Sequence, residues 1–115
     1  MAIVRIIRNE IKIRAKIENG KKEMMIAVTE QVVKDSNIYC RQDSGTLISS
    51  SLSASRPERG QAIWDTPYAL RVYYTGTPRK DVNPAASLMW VEVARAAFGG
   101  DWLRIAQKFF GEGMK

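Results

Sequence analysis

The chain has no histidine, one cysteine and four prolines among its 115 residues. Without histidine, a Ser-His-Asp triad, a Cys-His pair, an HExxH zinc site and a Cys2His2 finger are all excluded. A single cysteine excludes an internal disulfide framework and a CxxC redox pair. No apolar run approaches the ~18 residues of a membrane span. Residues 1–10 hold too few consecutive apolar side chains for a secretory leader. The expectation is a soluble protein made in a reducing cytoplasm, with no cofactor and no membrane partner.

What is present is ordinary globular material: 45% apolar and 26% charged residues, enough for one domain spanning residues 1–115. The net charge of +6 is uneven. Residues 1–17 carry +4, residues 18–40 carry −1, residues 41–80 carry +3 and residues 81–115 are neutral. Lys12, Arg14 and Lys16 make the front edge a candidate basic surface for an acidic protein or for nucleic acid. The plainer alternative is a solvated face.

From Ile11 to Ile17, apolar and charged residues alternate, the pattern of a half-buried strand. Residues 1–19 thus read as an N-terminal strand or arm, although Ile3, Ile6, Ile7 and Ile11 also fit a helical stripe. Glu18, Asn19 and Gly20 read as a turn. From Lys21 to about Cys40 the period lengthens, and Met25, Val28, Val32, Ser36 and Tyr39 share one helical face. The stretch 46–55 and the apolar residues 62–64, joined by a loop at 56–60, suggest a β-hairpin. Residues 68–74 add a short helix or a third strand. Asn83 and Pro84 carry the signature of a helix start. Gly99 and Gly100 are expected to stop that helix, Asp101 to cap another, and Gly111 to end it. The fold class predicted is α+β: a long amphipathic helix on a small antiparallel sheet, with one or two C-terminal helices.

Candidate chemistry is sparse. Cys40 lies near a helix C-terminus, where the dipole opposes thiolate formation, and reads as a half-buried structural thiol. Asp43, Asp65 and Asp81 each stand at a turn, where aspartate bonds nearby backbone N–H groups. A hydrolase would need them as a carboxylate pair. The serines at 49, 50, 51, 53 and 55 read as solvent-facing hydroxyls. Trp64, Tyr68, Tyr73, Tyr74, Trp90 and Trp102 are candidate core or subunit-interface anchors, large in area with a polar tip. Base stacking is the alternative role.

Four ordered strings carry a resemblance. DSNIYCRQDSGTLISSS at 35–51, WDTPYA at 64–69 followed by Tyr73 and Tyr74, RKDVNPAASLMW at 79–90 and DWLRIAQK at 101–108 resemble the corresponding segments of tailed-bacteriophage minor capsid proteins. The shorter pattern of Asp43, Gly45 and Leu47 with Tyr68 and Ala69 is similar to the wider group of neck and tail-completion proteins. Many relatives carry proline ahead of the Asp-Thr-Gly. Here the stretch reads Tyr39-Cys40-Arg41-Gln42-Asp43, a cysteine form that also occurs in the family. The resemblance covers residues 20–110. It implies an α+β, non-enzymatic virion protein at the head–tail junction, assembled in the host cytoplasm as a homo-oligomeric ring. Its partners would be connector or adaptor and tail-terminator or tail-tube proteins, with DNA in the channel as a further contact. It also implies shape-giving roles: Asp43 accepting N–H groups at the turn, Gly45 supplying its backbone angle, Leu47 following it, and Pro67, Asn83 and Pro84 setting up the next elements. The alternative reading is a small basic nucleic-acid-binding protein.

Overall fold

The computed structural model describes residues 2–42 and 45–115, with side chains from Lys12 onward. The chain runs through α1 (Ala2–Ser36), α2 (Thr46–Ala54), a 3-10 turn (Pro57–Arg59), α3 (Ala69–Tyr74) and α4 (Trp90–Gly113). Among the described residues there is no strand, and a single isolated antiparallel bridge pairs Arg56 with Gln61. The α+β expectation is therefore corrected. The long helix is real, but it packs on α4 instead of a sheet.

The alternating segment at 11–17 belongs to α1. Ile13 and Ile17, four apart, share a helical face as readily as a strand face, and a lone strand leaves its backbone groups unpaired unless a neighbour supplies a ladder. Helix formation needs no such neighbour, and it continues in register from the amphipathic turns that follow. From Lys12 onward the buried positions of α1 are Gly20, Thr29, Val33, Asp35 and Ser36, while Met25 is 37% exposed. Of the expected stripe, Ser36 is buried and Val28, Val32 and Tyr39 are partly buried, with the burial shifted toward Thr29 and Val33.

Gly20 is not a turn. A Cβ there would sit 2.8 Å from the Phe110 carbonyl oxygen and 2.9 Å from Met114 Cγ. A Cβ on Gly113 would sit 2.8 Å from both the Asn19 carbonyl oxygen and Gly20 Cα. The two glycines face each other where α1 crosses the end of α4, so backbone meets backbone. Asn19 Nδ2 donates to the Gly113 carbonyl across this crossing. N-terminal to it, α1 runs on for about 18 residues, or roughly 27 Å. The molecule is accordingly elongated, 70 × 26 × 18 Å.

The serine-rich stretch expected as a strand is helical because its buried face is small and its hydroxyls are satisfied within the helix. Leu47, Ser50 and Ser51 point inward. Ser50 Oγ and Ser51 Oγ donate to the Leu47 and Ile48 carbonyls, each at 2.6 Å. Bonds to the preceding turn are the usual way such side chains are accommodated in a helix. Ser50 and Ser51 are therefore buried, contrary to the solvent-facing expectation, while Ser49 and Ser53 are exposed.

α4 begins at Trp90, not at Asn83–Pro84, and passes through Gly99 and Gly100 without a break. Each glycine costs a helix roughly 1 kcal/mol, but Ala94 and Trp102, both buried, keep the helix seated on either side of the pair. Met89, with φ 51, turns the chain into α4.

The crossing yields a matched pair of expectations. Gly113→Ala places a methyl group against backbone and should lower stability by about 1–3 kcal/mol. Gly111→Ala, with nothing within 4 Å of its Cβ, should raise stability by about 0.5–1 kcal/mol. Urea denaturation of the two variants beside the wild type measures both signs.

Candidate interaction site at the end of the long helix

Where α1 ends, the chain turns through Asn37, Ile38, Tyr39 and Cys40, and three polar locks converge. Asp35 Oδ2 accepts from Trp102 Nε1 at 2.7 Å, and Asp35 Oδ1 accepts from Gln31 Nε2 at 3.0 Å. Asn37 accepts from Trp64 Nε1 at 2.9 Å and donates to Ser51 Oγ at 2.8 Å. Asn83 Nδ2 donates to the carbonyls of Ile38 and Cys40, both at 3.0 Å. Its Oδ1 accepts from Ala85 N–H at 3.2 Å. Asn83 therefore serves as a tie between the α4 approach and the α1 exit. It does not cap a helix. Pro84 follows it in an exposed turn, and Pro67 is likewise exposed just ahead of α3.

Beneath these locks lies the apolar core: Cys40, Leu47, Ala69 and Trp90, flanked by Trp64, Tyr68, Val72, Tyr73 and Val91. Trp90 is 1% exposed. It meets Tyr73 edge-on at 4.6 Å and Trp64 at 5.9 Å, the geometry that aromatic quadrupoles favour. Backbone bonds tie the same region, Ser87 N–H to the Tyr39 carbonyl at 2.9 Å and Met89 N–H to the Tyr73 carbonyl at 2.7 Å.

The structure thus gathers Leu47, Trp64, Tyr68, Tyr73 and Trp90 into one cluster and sets Trp102 apart, on Asp35. Tyr74 lies outside the cluster, 56% exposed against Tyr73. With Leu70, 75% exposed, it edges a shallow cleft over Trp64 and Trp90. Gly45 has φ 77, with open space around its Cβ. Asp43 lies outside the described residues. Asp65 and Asp81 are exposed. Asp81 takes a two-pronged bond from Arg79, at 3.1 and 3.0 Å, which lowers its carboxyl pKa below the ordinary value. Among the described residues, no group of three His, Cys, Asp or Glu side chains is placed to hold a metal ion.

Lys12, Arg14 and Lys16 are exposed on the overhang of α1. A strand would align all three. The helix places Lys12 and Lys16 on one face and Arg14 on the other. Asp35 and Asn37 were visible only as members of a quoted string. Nothing local marks a carboxylate that a tryptophan 67 residues away will engage.

No family model matches the chain, and neither the curated proteins nor the solved structures contain a match.

Two expectations follow. Asn83→Ala leaves two carbonyls without their donor and should cost about 1–3 kcal/mol, read from the urea midpoint, while Pro84→Ala, in the exposed turn, should fall within about 0.5 kcal/mol of wild type. Burial pushes the Cys40 thiol up to about 12, partly offset by a backbone hydrogen bond at Arg41. The folded state then prefers the neutral thiol. Its contribution is complete below the unfolded thiol's pKa and is lost as pH rises through the folded one. Cys40 should resist alkylation in native buffer at neutral pH, and the stability advantage of wild type over Cys40→Ala should shrink as pH rises from about 9 toward 12. Thermal melts across that range test this.

Proposed function

We propose that this chain is a non-enzymatic structural protein of a tailed phage or prophage virion, a minor capsid or tail-completion subunit at the head–tail junction. It works by binding copies of itself and neighbouring connector and tail proteins. The observation that carries this reading is the use made of the residues in the four resembling strings. Asp35, Asn37, Cys40, Leu47, Ser51, Trp64, Asn83, Trp90 and Trp102 are committed to internal hydrogen bonds or to the core. Side chains spent on shape in this way suit a building block. Beside many charged side chains, the exposed surface holds the large apolar and aromatic residues Leu52, Leu70, Tyr74 and Leu103. Interfaces of permanent assemblies commonly bury on the order of 2,000 Å² or more and are rich in such groups.

Deleting the gene from a phage that encodes the chain and imaging the particles tests this. The expected result is filled heads and separate tails that do not join. Joined, infectious particles without the protein would refute it.

A further inference from the structure

α4 stops short of the end of the face that it covers on α1. Ile13, Ile17 and Gly20 fall at i, i+4 and i+7 of α1 and share one helical face. At Gly20 that face meets Gly113, in the last turn of α4. α4 ends there, so toward the N-terminus of α1 the face continues without it as a ledge about two turns, or roughly 10 Å, long. On this ledge Ile13 is 54% exposed and Ile17 is partly buried.

Cations border the ledge on both sides. At about 100° per residue, Lys12 and Lys16 lie along one edge of the Ile13–Ile17 line and Arg14 along the other. All three are exposed, and among the described residues none of them is in an ion pair. Glu18, the next carboxylate along α1, is held by Lys21 at 3.4 Å. In the sequence, residues 1–17 hold five cations and one anion, Glu10.

This charge selects the occupant. Two copies of the ledge laid against each other would set Lys12, Arg14 and Lys16 against the same three cations, which like-charge repulsion disfavours. A phosphate backbone would meet the cations but leave Ile13 and Ile17 without an apolar partner. We infer that the ledge receives an acidic amphipathic helix of a different protein, its apolar side chains on Ile13 and Ile17 and its carboxylates beside Lys12, Lys16 and Arg14. Spaced apolar anchors give such a contact its register, and the flanking charges set partner choice. The incoming helix extends the layer that α4 begins. The inference names a partner chemistry that the proposed function leaves open, and it is independent of the virion setting.

Titration of the wild-type chain with designed helical peptides tests it. The probe is about as long as the overhang, with leucines one turn apart along one face and glutamates on both flanks. One control carries lysine for each glutamate, and a second carries serine for each leucine. The acidic probe should bind saturably, shift the methyl resonances of Ile13 and Ile17, and weaken as salt rises. Both controls should bind at least about tenfold more weakly. Lys12→Glu with Lys16→Glu should weaken the acidic probe about tenfold and strengthen the lysine control, with helix content by circular dichroism unchanged.

An acidic probe that fails to saturate at millimolar concentration overturns the inference, as does equal binding of the serine control. So does a wild-type dimer that Ile13→Ser dissolves, since the ledge would then serve a second copy. A short DNA duplex that displaces the acidic probe at moderate salt overturns it as well. Phage particles that join without the protein would refute the proposed function and leave this contact standing.

Discussion

The last turn of α1 and the four residues after it carry three side-chain locks that bind otherwise separate parts of the chain. Asp35 holds α4 through Trp102, Asn37 holds α2 and the 60s loop through Ser51 and Trp64, and Asn83 holds the α4 approach. A chain of this size has a small core, so the burial of Cys40, Leu47, Ala69 and Trp90 leaves little margin. Buried polar groups are costly unless paired. Here each pairing also sets a distance between elements, which lets long irregular connections hold one arrangement without a sheet. Among the described residues, Trp90 Nε1 and Ser36 Oγ are buried without a hydrogen-bond partner, a cost that the surrounding packing must offset.

How much of this was legible depends on how far apart the cooperating residues lie. The helix across 21–36 could be read from its periodicity, because i, i+3 and i+4 neighbours report on each other. The aromatic core residues could be named by type. The sheet was misread because the alternation at Ile11–Ile17 outweighed the helical stripe of Ile3, Ile6, Ile7 and Ile11, and because a serine run has weak local preference and was settled by the buried Leu47, Ser50 and Ser51 face. Gly20 looked like punctuation, yet its reason is Gly113, far away in sequence. Likewise Asn83 resembles a helix cap locally, while its amide is taken by carbonyls at positions 38 and 40. Long-range partners leave no local trace.

The proposed role and the architecture bear on each other through this division of labour. Residues near the α1 exit make shape. Leu52 of α2, Leu70 and Tyr74 of α3 and Leu103 of α4 are exposed on the body's outer surface.

The claim that the α1 exit locks the whole body into one cooperative unit is tested most directly by native-state amide hydrogen exchange. The amides of Ala86, Ser87 and Met89, which donate to the Asn83, Tyr39 and Tyr73 carbonyls, should exchange with the same opening free energy as the amides of α1 from Thr29 to Ser36 and of α4 around Ala94. Rapid exchange at 86–89 while both helices stay protected would contradict it.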